Sequence, residues 1–222
     1  YAQGLPVDDA RSDVKGEWIM EINEVEIASL AEAGIQYEVL IEDVSAFYVE
    51  RNKGADFNLD QLREVSDEWV VPEGFSLGSI GGFCSIEEMQ DQLDTMIANY
   101  PDLISQKYLF DTVTLEGRSI PWLRISDNPN TNEPDEPEIL YTGMHHAREP
   151  IGMQQMLFFM YWLLENYGTN DDATYLIDNF ELYMVPMINM DGYAYNIQTN
   201  PNGGGMWRKT RRDNGDGSYG VD

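Results

Sequence analysis

An apolar segment near the middle of the chain constrains the fold more than any other part of the sequence. The segment opens with Pro150, a residue favoured in the first turn of a helix, and it closes before Gly168. Its apolar side chains, which point in almost every direction around a helix, are Met153, Met156, Leu157, Phe158, Phe159, Met160, Trp162, Leu163 and Leu164. A helix without a polar face is buried on more than one side, as happens when it covers a sheet. The segment therefore favours an α/β fold.

Strand and helix candidates alternate around this segment. A capping box formed by Ser85 and Glu88 predicts a helix that ends at Pro101. The strand candidates in this part of the chain are residues 107–115, 121–125, 138–142 and 180–188. This order of elements predicts an α/β domain with a mixed sheet over residues 83–222.

The first part of the chain reads as a smaller α/β unit. Its strand candidates, some of them rich in β-branched and aromatic residues, are residues 17–22, 35–41 and 47–50. Asn23 lies three residues before Glu26, a capping-box pattern that predicts a helix ending at Gly34. Residues 60–69 predict a further short helix.

A change in composition separates these two parts. Pro72 and several glycines lie within residues 72–82, and so many backbone-permissive residues are typical of a linker. We therefore expect a small α/β domain over residues 1–71, followed by this linker and the larger domain.

The balance of charge argues against two kinds of partner. The chain has 40 Asp and Glu residues against 13 Lys and Arg, which gives a net charge of -27. A surface this negative repels phosphate backbones and anionic lipids, so we expect no nucleic-acid partner. The longest nearly continuous apolar run, residues 156–164, is far shorter than the roughly 20 residues of a membrane-spanning helix, so no membrane span is expected.

The segment most informative about function is GMHHAREP, at residues 143–150, between a strand candidate and the apolar helix. Ligands of open α/β sheets usually lie at this edge. His146 and Glu149 are three residues apart, so one turn can bring both side chains, which are suitable zinc ligands, to the same side. His145 points away from them in an extended segment, whereas a catalytic zinc ion needs three protein ligands. Either the third ligand lies outside this chain, or the pair is a surface hydrogen bond.

A basic cluster, WRKTRR at residues 207–212, is the second feature of interest. In so acidic a chain, these cations are placed to receive negative charge from a ligand. The alternative is a solvated basic turn.

Together these segments resemble the zinc metallocarboxypeptidases of the carboxypeptidase A and carboxypeptidase T type. The resemblance rests on His146 and Glu149, on the turn NMDGY at residues 189–193, and on WRKTR at residues 207–211. The family often has Pro where this chain has Met190. The likeness extends over about residues 82–222, and it implies the N-terminal part of a mixed-sheet zinc carboxypeptidase fold.

The resemblance also implies a role for each of these residues. His146 and Glu149 would bind one zinc ion per catalytic domain, Arg208 would stabilise the oxyanion, and Arg148 would contact the substrate. The third zinc ligand and the general base would follow Asp222, so we expect this chain to be an inactive fragment of an active enzyme. Residues 1–71 would be an activation-type domain, because residues 42–51 resemble the last strand of such a domain and its approach.

The implied activity is hydrolysis of the C-terminal peptide bond of peptides and proteins, in a secreted zymogen that we expect to be monomeric. One alternative on the same fold is an amidase or deglutamylase that acts on cell-wall or modified peptides. Another is a metal-free, non-catalytic peptide-binding relative. A calcium site is possible but unsupported, because glycines stand at ligand positions in the loop DNGDGS at residues 213–218, and we predict a simple turn there.

Overall fold

The computed structural model describes residues 8–12, 18–22, 24–54 and 70–221. The chain divides into two compact units, Tyr1–Glu42 and Asp43–Asp222, and each is described by itself. The boundary between the units falls within the region, residues 1–71, that the sequence assigns to one small domain.

The first unit contains a two-stranded antiparallel sheet and a helix. Strand β1 (Asp8–Ser12) pairs with β2 (Trp18–Glu21), and helix α1 (Glu24–Glu32) follows. The helix ends at Gly34, whose φ of 69° lies in the left-handed region that glycine adopts without steric cost. This helix, its end at Gly34 and the strand within residues 17–22 are confirmed, while Asn23 lies outside the described residues.

Two strands predicted near the N-terminus are wrong. Residues 35–41 adopt no regular structure, and residues 47–50 lie inside helix α2 (Val44–Asn52). Asp43 caps this helix, because its Oδ1 accepts a hydrogen bond from the Ala46 amide at 2.8 Å. Such a cap outweighs the weak β propensity of the segment. Residues 42–51 are therefore not a strand, and the helix predicted over residues 60–69 lies outside the described residues.

The second unit is built on a mixed sheet. Its described strands are β3 (Tyr108–Val113), β4 (Ser119–Ile125), β5 (Glu138–Thr142) and β6 (Glu181–Val185). They lie in the order β3-β4-β6-β5, with β5 and β6 parallel and the other neighbours antiparallel. The predicted α/β fold with a mixed sheet is confirmed, and each strand overlaps its predicted segment.

Two predicted helices are confirmed, and both pack with this sheet. Helix α3 (Ile86–Asn99) begins with the complete capping box of Ser85 and Glu88. Helix α4 (Ile151–Asn166) is the apolar helix, and its buried residues join those of α3 and the strands in one core. None of the helices in the described part of the chain has the length and apolar content needed to cross a bilayer.

Two further helices were not predicted. These are α5 (Asp171–Asn179), capped by Asn170, and α6 (Met190–Thr199), capped by Asn189. The segment NMDGY was interpreted as a turn, but it forms the cap and the first turn of α6. Its asparagine cap was the available signal, since asparagine is among the residues preferred at this position.

The predicted linker, residues 72–82, is part of the second unit and is bound to it by hydrogen bonds. Two backbone amides of this segment, those of Glu73 and Gly74, each donate to the Glu165 carboxylate at 2.7 Å. Phe75 is buried in the core, and an antiparallel bridge between Gly78 and Gly82 closes the segment into a tight loop.

A loop of acidic residues connects β4 to β5. The carboxylates of Asp127, Glu133 and Glu136 lie within 4.8 Å of one another. In the described part of the chain, the Oε2 atoms of Glu133 and Glu136 are buried without a hydrogen-bond partner. Burial first, and then the negative charges of Glu133 and Asp127, raise the pKa of Glu136 above its ordinary value.

The raised pKa of Glu136 predicts how stability changes with pH. The folded state binds the proton of the Glu136 carboxyl more tightly than the unfolded state does. The contribution of this proton to the free energy of unfolding is therefore complete below the unfolded pKa of about 4.3. It is lost as pH rises through the folded pKa. Glu136→Gln should therefore raise the melting temperature at pH 7 but change it little at pH 4, with a chelator present so that no cation neutralises the cluster. Asp135→Asn, an exposed change in the same loop, should have a smaller effect. Equal melting temperatures for Glu136→Gln and wild type at pH 7 would contradict this account.

Candidate metal centre

The residues singled out in the sequence lie where the parallel strand β5 ends. The Gly143 amide donates to the Val185 carbonyl at 2.9 Å, so pairing with β6 continues one residue beyond the strand. Met144 then has a φ of 54°, in the left-handed region that residues other than glycine rarely occupy. This conformation turns the chain out of the sheet and into the turn that carries His145 and His146.

His146 and Glu149 meet across that turn. The Glu149 amide donates to the His146 carbonyl at 3.1 Å, and the His146 Nδ1 atom lies 3.1 Å from the Glu149 Oε2 atom. Zinc–nitrogen and zinc–oxygen bonds of about 2.0–2.2 Å in a tetrahedral shell place two ligand atoms about 3.3 Å apart. The separation of these two atoms therefore fits two ligands of one zinc ion.

The described residues do not complete a three-ligand site at this pair. Among them, the only group of three His, Cys, Asp or Glu ligand atoms close enough to share an ion is the acidic cluster of Asp127, Glu133 and Glu136. His145, next to His146, is exposed to solvent. The described residues therefore supply two candidate ligands at this position, one fewer than a catalytic zinc ion takes from the protein.

Arg208 joins this pair from a distant part of the sequence. Its Nη2 atom lies 3.4 Å from His146 Nδ1, and its Nε atom lies 3.8 Å from Glu149 Oε1. The structure thus brings His146, Glu149 and Arg208 together, with Arg148 half-buried on the same turn. Before the structure, only the family resemblance connected Arg208 with this site.

The cations of the basic cluster lie in different environments. The Arg211 guanidinium lies 3.9 Å from the centre of the Tyr195 ring and 4.5 Å from that of the Trp207 ring. Its Nε atom is also 3.4 Å from the Glu116 carboxylate. Arg211 therefore anchors its loop through cation–π contacts and an ion pair, whereas Arg208 faces the candidate metal ligands.

The loop at residues 213–218 forms a turn, as predicted. Asp213 pairs with Tyr219 across a short antiparallel bridge, and Gly215 and Gly217 have positive φ. The Asp216 carboxylate accepts hydrogen bonds from the amide and hydroxyl of Ser218, so the turn is held by its own side chains.

An open hollow of about 870 Å³ adjoins the candidate ligands. His146 and Glu149 line one part of it, and Tyr141 of β5 and Phe159 of α4 line another. The hollow therefore combines potential metal ligands with aromatic surface, which is typical of sites for small organic ligands.

Helix α6 packs directly against the turn of the candidate site. A Cβ atom added to Gly192 would lie 2.6 Å from the Ala147 Cβ atom and 3.0 Å from the Lys209 carbonyl oxygen. Only a residue without a side chain fits between the helix and these two segments.

This packing predicts different outcomes for two glycines in first helical turns. Gly192→Ala should lower the free energy of unfolding by about 1–3 kcal/mol, because the added methyl group overpacks the contact. Gly152→Ala is the matched control, since a Cβ atom there meets only the Met144 nitrogen at 3.5 Å. That variant should be as stable as wild type or slightly more stable. Urea unfolding measures both, and equal stabilities for the two variants would show that the α6 contact is not tight.

Comparison with known proteins agrees with this fold. The sequence profile of the family described as zinc carboxypeptidase matches residues 89–222. Because this match covers more than half of the chain, the chain belongs to the zinc carboxypeptidase family.

Individual relatives cover different shares of the chain. It is 31% identical to a zinc carboxypeptidase of Saccharothrix mutabilis subsp. capreolus over 161 residues, 72% of this chain and 36% of the relative. It is 29% identical to carboxypeptidase A2 of Rattus norvegicus over 194 residues, 87% of this chain and 41% of the relative. It is also 33% identical to an inactive metallocarboxypeptidase of Saccharomyces cerevisiae over 120 residues, 54% of this chain and 26% of the relative.

A solved structure shows the same fold. The structure of carboxypeptidase A from Helicoverpa armigera superposes with a TM-score of 0.61 at 25% sequence identity, over 90% of this chain and 44% of that chain. The chain therefore spans less than half the length of the relatives it matches.

Proposed function

We propose that the whole protein is a zinc-dependent metallocarboxypeptidase, which hydrolyses the C-terminal peptide bond of peptides and proteins. The observation that carries this proposal is the 3.1 Å separation between His146 Nδ1 and Glu149 Oε2, with the Arg208 guanidinium beside them. An imidazole nitrogen and a carboxylate oxygen at this separation are suitable ligands for one shared cation. Membership of the zinc carboxypeptidase family supports zinc as that cation.

Each residue of the site has a part in this chemistry. Zinc held by His146 and Glu149 supplies a Lewis acid for peptide hydrolysis. Arg208 donates hydrogen bonds to the oxygen of the scissile carbonyl, and these bonds strengthen as negative charge develops there. Arg148 contacts the substrate further along its chain. The third metal ligand and the general base come from outside the described residues.

The N-terminal region would be an activation-type domain in this proposal. A Cβ atom added to Gly204 would lie 2.8 Å from the Ser45 carbonyl oxygen and 3.1 Å from Val49 Cγ2, so helix α2 packs against the glycine-rich loop that leads to Arg208. In this proposal, proteolytic removal of the N-terminal region would activate the enzyme. From the family resemblance we also infer that the protein is secreted, and we expect it to be monomeric.

A specific observation favours one alternative function. The inactive metallocarboxypeptidase of Saccharomyces cerevisiae, one of the relatives, shows that this fold also occurs without activity. The alternative is thus a peptide-binding protein that has lost catalysis. Bound zinc and turnover distinguish it from an enzyme.

Loss of either candidate ligand should abolish zinc binding by the whole protein. His146→Ala and Glu149→Ala each remove one of the three protein ligands that a catalytic zinc ion needs. His145→Ala, an exposed change one residue away, is the matched control and should retain the metal. The measurement is zinc content by elemental analysis after dialysis. A full complement of zinc in His146→Ala would rule out this metal site.

Arg208 should affect turnover more than metal content. Arg208→Ala removes a donor to the developing oxyanion, and we expect kcat to fall by about 10²- to 10³-fold with zinc content unchanged. Arg212→Ala, at an exposed position of the same basic cluster, should retain the wild-type rate. A kcat for Arg208→Ala within about threefold of wild type would contradict the role of Arg208 in stabilising the oxyanion.

A comparison of substrates separates a carboxypeptidase from an amidase. The assay compares peptides that have ordinary C-terminal residues with γ-linked or D-amino-acid peptides.

A further inference from the structure

Two buried asparagines bind the backbone on both sides of His146 and of Arg208: Asn189, which caps helix α6, and Asn196 within the helix. The Asn196 Nδ2 atom donates to the Ala147 carbonyl at 3.1 Å and to the Trp207 carbonyl at 2.8 Å. Its Oδ1 atom accepts from the Trp207 amide at 2.8 Å. Asn196 is only 6% exposed, so these hydrogen bonds are shielded from water.

Asn189 makes the complementary set of contacts. Its Nδ2 atom donates to the His145 carbonyl at 3.0 Å and to the Lys209 carbonyl at 3.1 Å. Its Oδ1 atom accepts from the Gly192 amide, and it thereby also caps helix α6. Like Asn196, it is buried.

The pattern of these contacts is specific to the candidate site. The carbonyl groups before and after His146 are each bound by one of the two asparagines, and so are those before and after Arg208. Between them, the Ala147 amide donates directly to the Arg208 carbonyl at 2.9 Å. The backbone segments around His146 and Arg208 are therefore held to each other and to helix α6. The hydrogen bonds lie next to His146 and Arg208, so they fix the backbone from which these two side chains extend.

The chemistry of the amide explains why asparagine suits this position. Its planar group offers two donors and one acceptor, and Asn196 uses both functions to bind one segment while reaching the other. Aspartate of the same size lacks the donors, and alanine lacks both donors and acceptor.

We propose that Asn196, together with Asn189, is a positioning residue that sets the separation between His146 and Arg208. The inference rests on the proposed function, because this separation matters for catalysis only if a metal and a guanidinium act on one carbonyl oxygen. A displacement of about 1 Å in such a site lowers the rate by about 10²-fold. Asn196 is the residue to test, since it lies inside α6, whereas loss of Asn189 also removes the helix cap.

The first test is kinetic and uses the whole protein loaded with zinc. Asn196→Ala should lower kcat by about 10- to 100-fold, with KM changed less than about threefold and zinc content unchanged. If Asn196 acts through Arg208, the same substitution should cost much less in an Arg208→Ala background, because interacting residues are not additive. Equal losses of kcat in the two backgrounds would overturn the proposal.

The second test does not depend on activity. Asn189 and Asn196, with their side-chain hydrogen bonds to these two segments, are called the asparagine clamp. Hydrogen exchange should be about tenfold faster at the Ala147 and Trp207 amides in Asn196→Ala than in wild type, because the Asn196 part of the clamp is lost. Asn170→Ala, which loses the side-chain cap of α5 but lies on another helix, is the matched control. It should leave both the exchange at these amides and kcat unchanged.

The two readouts separate this inference from the proposed function. If the wild-type protein shows no turnover but exchange is faster in Asn196→Ala, the proposed peptidase activity is wrong and the positioning role of Asn196 in the backbone stands. If exchange and kcat are both unchanged in Asn196→Ala, the positioning role of Asn196 is wrong even if the wild-type protein is an active enzyme. If Asn196→Ala does not fold, Asn196→Asp serves instead, since it keeps the acceptor for the Trp207 amide and loses the donors to the two carbonyls.

Discussion

The close approach of helix α6 to the turn that carries His146 is the contact on which the candidate site depends. Gly192 permits this approach, because any side chain there would collide with Ala147 and with the Lys209 carbonyl. At this distance the Ala147 amide reaches the Arg208 carbonyl, and the asparagine side chains of α6 reach both segments. The end of strand β5 sets where the turn that carries His146 begins, and helix α6 joins this turn to the segment that contains Arg208.

The distribution of charge around this contact is unlike that of the chain as a whole. The net charge of -27 repels anionic ligands at long range, yet solvent ions screen that repulsion beyond about 10 Å. Within that distance Arg208 lies beside Glu149, while the Arg211 charge is balanced by Glu116 and covered by aromatic rings. In the proposed function, recognition of negative charge at the site would therefore depend on nearby cations such as Arg208 and not on the overall field.

How much could be predicted from the sequence depended on how local each signal was. The HxxE pair and the capping box of α3 lie within a few residues, so spacing alone indicated their geometry. Residues 47–50 were wrongly predicted as a strand, because their aromatic and β-branched side chains favour strands while the helix cap at Asp43 lies outside that short segment. The contact between Arg208 and His146, and the asparagine clamp of Asn196, join residues far apart in the chain, and no periodicity encodes such pairs.

The local nature of the His146–Glu149 pair also determines how a metal site can assemble around it. Ligands on one turn lose little conformational entropy when they meet, whereas a ligand from a distant segment requires a long loop to close. The free energy of metal binding offsets that closure more readily when the first two ligands are already in place. The clamp by Asn189 and Asn196 fixes the backbone of this turn without any ion. In the proposed metal site, His146, Glu149 and Arg208 are therefore already close together, and a third ligand would add with the metal.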